Sequence, residues 1–125
     1  MTPLLDSNIL IDVLNGVEAA RLYFKQLAVR RISSTTVFEV LTGCSGDRKT
    51  QRPVARELFQ VCEVLDFTQA DAERAAELFL KSNRKKEKMI DFFIAATAEN
   101  NGLKLATRNT KDFKNIEAFS PYNLK

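Results

Sequence analysis

The chain contains no histidine. Any chemistry it performs must therefore run on carboxylates, hydroxyls, lysines or a bound metal ion. Most of its 16 acidic residues lie among polar neighbours and need no function. Four stand apart. Asp6 ends the apolar run Pro3-Leu4-Leu5, and Glu39 lies inside Val37-Phe38-Glu39-Val40-Leu41. Asp91 is set between Ile90 and Phe92-Phe93-Ile94-Ala95-Ala96, and Asp112 follows Leu105-Ala106-Thr107-Arg108-Asn109 after Thr110 and Lys111.

A carboxylate in an apolar stretch costs desolvation unless something compensates it. No Lys or Arg lies within a helical turn of Glu39, and Lys88 is the one cation near Asp91. Taken singly, each acid has an ordinary structural use. Asp6 could cap a helix, and Asp91 could meet the positive end of one, worth about 0.3–1 kcal/mol. Glu39 could reach solvent, and Asp112 could form a turn. Taken together they suggest a cluster. Two unit charges at about 4 Å repel by about 4 kcal/mol at an effective dielectric near 20, so such a cluster favours a cation inside it. Hard oxygen ligands suit Mg²⁺ or Mn²⁺. Zinc is disfavoured without His or a suitably spaced Cys pair. A cation so held can activate water and stabilise charge on a phosphoryl oxygen, which points to phosphodiester hydrolysis.

The elements that must position these acids alternate in type. Residues 3–6 read as a strand, and Ser7-Asn8 can cap a helix running to Leu14, stopped by Asn15-Gly16. Helices are expected over 18–28, from Thr35 or Thr36 to Gly43, over 53–61, over 69–83 and over 89–100. Thr68 and Asp71 have the spacing of a capping box, with Asp in place of Glu. Strands are expected at 31–33, 61–67, 103–106 and 116–119. Strands alternating with helices imply an α/β fold, a three-layer α/β/α sandwich around a mostly parallel sheet. In such a sheet, ligands bind at the C-terminal strand edge, where Asp6 would lie.

The chain has 125 residues, a length that suits one domain spanning residues 1–125. It carries no apolar run of about 18 residues and no signal-peptide pattern, so a cytoplasmic protein is expected. Cys44 and Cys62 fit no metal or redox spacing and read as reduced thiols. The net charge of +3 is mildly basic. The cations gather at Arg30-Arg31, around Arg48-Lys49-Arg52, at Arg84-Lys85-Lys86 with Lys88, and from Lys104 through Arg108, Lys111 and Lys114. Solvated faces or a polyanion partner would each account for them.

Four segments, in order, resemble the PIN-domain ribonucleases, and within them the VapC-type toxins of toxin–antitoxin pairs. They are Leu4-Leu5-Asp6-Ser7-Asn8-Ile9-Leu10-Ile11, then Ile32-Ser33-Ser34-Thr35-Thr36-Val37-Phe38-Glu39-Val40-Leu41-Thr42-Gly43, then Asp91-Phe92-Phe93-Ile94-Ala95-Ala96-Thr97-Ala98, and finally Leu105-Ala106-Thr107-Arg108-Asn109-Thr110-Lys111-Asp112-Phe113. The resemblance implies a metal site built by Asp6, Glu39, Asp91 and Asp112, holding Mg²⁺ or Mn²⁺. Asp6 and Asp91 would be the principal ligands, and Glu39 would bind a second ion or orient water. Ser7, Asn8, Thr107 and Asn109 would support the site. It further implies an RNA substrate, tRNA or rRNA, a cognate antitoxin that blocks the site, and a homodimer that forms a hetero-oligomer with the antitoxin. Arg84, Lys85, Lys86, Lys88 and Arg108 are the candidate RNA contacts. The sequence departs from the family at Ser7, where Thr is usual, and at Asn109, where some members have Asp.

Other activities remain in view. A haloacid-dehalogenase-like phosphatase also begins with a strand-end Asp but wants a second Asp two residues later, where this chain has Asn8. A response-regulator receiver domain would want paired acids at the first strand. A PIN domain that binds RNA or antitoxin without cutting is the non-enzymatic reading.

Overall fold

The computed structural model describes residues 2–82, 88–114 and 116–123. Strand β1 (Leu4–Leu5) leads into helix α1 (Ser7–Leu14), which is followed by α2 (Glu18–Gln26), β2 (Arg31–Ser33) and α3 (Ser34–Gly43). A short 3₁₀ turn (Gly46–Gln51) precedes α4 (Arg52–Gln60), β3 (Glu63–Leu65), α5 (Gln69–Lys81) and α6 (Met89–Asn100). Strand β4 (Leu105–Ala106), a second 3₁₀ turn (Thr110–Asp112) and β5 (Ala118–Phe119) complete the described elements. The five strands form one sheet in the order β3-β2-β1-β4-β5, and every pairing is parallel. The α/β/α sandwich expected from the sequence is the fold found.

Alternation along β1 explains the three layers. Leu4 packs with Ala75, Leu78, Ile94, Leu105 and Phe113 beneath α5 and α6. Its neighbour Leu5 points the other way, into Ile9, Leu10, Phe24, Ile32, Val40 and Ala55 beneath α1 to α4. The central strands β1 and β4 are fully buried on both faces, the usual condition of a parallel sheet covered by helices. Burying each large aliphatic side chain contributes roughly 1.5–3 kcal/mol.

The element ends differ from the sequence reading in specific places. α1 is capped by Asp6, whose Oδ1 accepts from the Ser7 amide at 2.8 Å, rather than by Ser7-Asn8. Helix α3 starts earlier than Thr35, because Ser33 accepts the Thr35 amide through its hydroxyl. α2 ends at Gln26 because Leu27 is already extended. β3 is shorter than 61–67, because the Val61 and Cys62 amides close the end of α4 on Leu58 and Phe59 carbonyls. The Thr68–Asp71 capping box forms with both reciprocal bonds. Cys44 and Cys62 are free thiols. Among the described residues, no helix is long and apolar enough to cross a membrane.

Candidate active site

The sheet order places β1 beside β4, while the chain leaves β1 toward β2 on one side and β4 toward β5 on the other. Neighbouring strands whose connections diverge open a crevice at their C-terminal ends. The register pairs Leu5 with Ala106, so the next residues, Asp6 and Thr107, face each other across that crevice. The backbone locks the pair in place, with the Asp6 amide donating to the Ala106 carbonyl at 2.9 Å and the Thr107 amide to the Phe119 carbonyl at 3.0 Å.

Asp6 is 4% exposed. Its Oδ2 accepts the Thr107 hydroxyl at 2.7 Å, and its Oδ1 holds the Ser7 amide. Thr107 is itself held by two donors, the Asn109 amide at 3.0 Å and the Asn8 side-chain amide at 3.3 Å. Ser7 donates to the buried Thr36 hydroxyl at 3.2 Å, which ties the start of α1 to α3 one turn before Glu39. Ser7, Asn8, Thr107 and Asn109, expected as supporting residues, therefore form one hydrogen-bonded frame around Asp6. Asn109 contributes its backbone amide to that frame.

The other three acids reach the crevice from separate elements. Glu39 projects from α3, which packs against α6. Asp91 lies in the first turn of α6. Asp112 ends the 3₁₀ turn, anchored by the buried Phe113 that follows it. Their proximity is read in their electrostatics. Burial pushes the Asp91 carboxyl up to about 7, with the charges of Asp6, Glu39 and Asp112 adding to the rise and Lys88 opposing it. Burial likewise pushes Asp6 up to about 6, against its hydrogen bonds from Thr107 and Ser7, with Glu39 and Asp112 raising it further. Both acids thus stand in a field made by the other candidates, as expected where carboxylates converge without enough positive charge.

That donor set, carboxylate oxygens whose repulsion Lys88 only partly offsets, fits a hard divalent cation. Among the described residues, however, no three acids are drawn together into a ready-made metal cluster. Lys88 already pairs with Asp112 at 2.5 Å. The residues fit a cation by the chemistry of their oxygen donors.

The candidate RNA contacts fare differently. Arg108 stays exposed to solvent while its Nε lies 2.6 Å from Oδ2 of the buried Asp12. Arg84, Lys85 and Lys86 lie outside the described residues. The sequence reading missed Asp12, which is 5% exposed and also accepts the Tyr122 hydroxyl at 2.8 Å. The signal was available, because Asp12 interrupts the apolar run Ile9-Leu10-Ile11-Asp12-Val13-Leu14 just as Glu39 and Asp91 interrupt theirs. Thr36 was missed as well. A hydroxyl in a run of four, Ser33-Ser34-Thr35-Thr36, gives no hint which one turns inward.

The PIN domain family model matches residues 4–118. The chain belongs to the PIN-domain family. Over 122 residues this PIN domain is 31% identical to Ribonuclease VapC10 of Mycobacterium tuberculosis, covering 94% of this chain and 90% of that protein. It superposes on a chain of a toxin–antitoxin complex from Klebsiella pneumoniae with a TM-score of 0.83 at 32% identity, covering 98% of this chain and 100% of that one. A DNA-bound VapBC from Salmonella typhimurium gives a TM-score of 0.81 at 24% identity, covering 98% and 100% of the two chains, and bears on the fold alone. The resemblance to VapC-type PIN domains holds across nearly the whole chain.

Proposed function

We propose that this PIN domain is a VapC-type ribonuclease toxin. It would be a divalent-cation-dependent endoribonuclease that hydrolyses RNA phosphodiester bonds and is neutralised by a cognate antitoxin. The observation that carries the reading is the electrostatic coupling at the strand edge. Asp6 and Asp91 come from different elements, and each carboxyl is raised by burial and by the charges of Glu39 and Asp112. Carboxyls perturbed by burial together with named charged neighbours in a cleft mark a candidate functional site.

In this reading Asp6 and Asp91 would hold the ion, with Glu39 and Asp112 completing its surroundings or orienting the attacking water. Mg²⁺ or Mn²⁺, when bound, supplies a water of lowered pKa and neutralises charge on the phosphoryl group. Thr107, Asn8 and Ser7 hold the Asp6 carboxylate in one orientation. Lys88, beside Asp112, and the basic segment Arg84-Lys85-Lys86 would meet the RNA backbone. The toxin–antitoxin setting of its relatives supports an antitoxin partner, and a homodimer assembled with it in the cytoplasm accords with that setting. The whole chain, residues 1–125, would act as one domain, and tRNA or rRNA would be the target.

The test is cleavage of total RNA by the purified protein with Mg²⁺ or Mn²⁺ and with EDTA, mapping the new 5′ ends. Discrete cuts that EDTA abolishes are expected. Cleavage undiminished by EDTA would overturn the metal-dependent reading, and RNA retention without cleavage under any divalent ion would replace the enzyme with a binding module.

A further inference from the structure

Asp12 and Arg108 lie beyond the four-acid crevice, and the mechanism above does not use them. Asp12 stands on α1, six residues past Asp6, with its side chain 7% exposed. Three donors converge on its carboxylate. Arg108 Nε approaches Oδ2 at 2.6 Å and a terminal guanidinium nitrogen approaches Oδ1 at 3.2 Å, a two-pronged grip. The Tyr122 hydroxyl, from the segment after β5, donates to Oδ2 at 2.8 Å. The Tyr122 ring in turn packs against Tyr23 of α2, with ring centroids 6.3 Å apart.

Arg108 sits between the two residues that shape the Asp6 environment. On one side Thr107 donates to Asp6, and on the other the Asn109 amide donates to Thr107. The Arg108 backbone amide also reaches Asn8 Oδ1 at 3.4 Å. This turn follows a strand of only two residues, so the strand alone gives it little rigidity. A guanidinium locked to a buried carboxylate supplies what the strand does not. The grip ties an exposed turn to a buried carboxylate, and releasing the guanidinium would leave the buried Asp12 charge with the Tyr122 hydroxyl alone.

We propose that Asp12, Arg108 and Tyr122 form a positioning clamp that holds the 107–109 turn against Asp6, and that Arg108 serves this clamp rather than the RNA backbone. The inference rests on the nuclease reading for its kinetic consequence but not for its structural one. A displaced turn would misplace the Thr107 hydroxyl, and small misplacements at a reacting centre lower turnover more than binding. Loss of a phosphate-binding arginine would do the opposite, raising KM and flattening the salt dependence of binding.

The test uses Asp12→Asn, Arg108→Lys and Tyr122→Phe in the full chain, read by amide hydrogen exchange and by RNA cleavage with Mn²⁺. For Asp12→Asn, exchange at the Arg108 and Asn109 amides should rise about tenfold while that in β1 stays unchanged, and kcat should fall about tenfold at constant KM and salt slope. Arg108→Lys should lose less turnover than Asp12→Asn, since it keeps the charge pair, and Tyr122→Phe should show a smaller version of both effects. Unchanged exchange at the turn in folded Asp12→Asn protein would overturn the clamp. So would a purely KM-borne loss with a flatter salt slope in a further variant, Arg108→Gln, which removes the charge and would assign Arg108 to RNA. If Asp12→Asn does not fold, Tyr122→Phe, which removes one hydroxyl, carries the same two readouts. Absence of cleavage by the parent protein would sink the nuclease reading, and the exchange measurement would still decide the clamp.

Discussion

Replacing Asp6 by Asn should stabilise the metal-free protein at neutral pH and destabilise it in acid. In the fold, burial raises the Asp6 carboxyl from 3.8 to about 6. The folded state therefore holds a proton that the unfolded chain has already released, and stability falls as pH rises from 3.8 toward the folded value. A tenfold difference in proton affinity between the folded and unfolded states is worth about 1.4 kcal/mol, so by about pH 7.5 the ionised Asp6 costs the fold about 3 kcal/mol. By the same linkage the cost at about pH 4 is only about 0.5 kcal/mol. An Asn side chain removes that cost but brings a mismatch. Thr107 donates to Oδ2 of Asp6 and already accepts from Asn109 and Asn8. An amide nitrogen at that position cannot accept the Thr107 proton, a loss of about 1 kcal/mol.

The net expectation is a gain of about 2 kcal/mol at about pH 7.5 and a loss of about 0.5 kcal/mol at about pH 4. Urea unfolding of EDTA-treated parent and Asp6→Asn protein at the two pH values measures it, and a slope of about 1–3 kcal/mol/M makes the neutral shift about 1 M in midpoint. The same variant should lose RNA cleavage. An Asp6→Asn protein less stable than the parent at both pH values, or a difference that does not move with pH, would refute the claim that the fold holds Asp6 ionised at its own expense.

Other substitutions test the remaining parts. Asp91→Ala should abolish cleavage while leaving the circular dichroism of the folded chain intact, and full activity in that variant would remove Asp91 from the site. The acid limb of the cleavage rate should move to lower pH as Mn²⁺ is raised. Protons and the ion compete for Asp6 and Asp91, whose carboxyls are raised to about 6 and about 7, and initial rates across that range at two Mn²⁺ concentrations decide it. Asp71→Ala should destabilise by about 2–4 kcal/mol at neutral pH. It would dismantle the Thr68 capping box and remove the acceptor 2.8 Å from both the Thr97 hydroxyl and the Asn100 amide, leaving Thr97 its 3.2 Å bond to the Phe93 carbonyl. Denaturant unfolding measures that loss, and a change under about 1 kcal/mol would mean that the buried network contributes little.

The parts of the fold that the sequence announced are those where one physical signal dominates. Met89–Asn100 is predominantly apolar, and Thr68 with Asp71 can only usefully close a helix start. Boundaries were harder where several residues could do the same job. Ser33, Ser34, Thr35 and Thr36 all carry hydroxyls, and Ser33 becomes the cap of α3 because strand pairing with β3 leaves it at the strand end with extended backbone. At the site, the four acids were legible because each breaks an apolar pattern or closes a signature. Their frame was half legible: Asn8 and Thr107 followed from the resemblance, whereas Thr36 and Tyr122 reach their places only through long-range packing. The charge of Arg108 is visible in the sequence, whereas its partner Asp12, 96 residues away, is not.

Asp6 and Asp12 show how the same residue type at the start and along the length of one helix can be put to opposite ends. Both are nearly fully buried. Asp12 meets a guanidinium and a phenol, so its charge is answered within the chain, and its removal should loosen a turn. The donors to Asp6 are a backbone amide and a hydroxyl, both neutral, and the nearby charges that act on it are negative. The chain could have placed Arg108 on Asp6, since Thr107 next door already touches it, yet the guanidinium reaches the other acid. A buried carboxylate with neutral donors, raised further by the charges of Glu39 and Asp112, is a standing destabilisation of the kind that marks a candidate functional site. The pairing at Asp12 is thus informative about Asp6: it commits the Arg108 guanidinium to another carboxylate, while Lys88 answers Asp112 rather than Asp6.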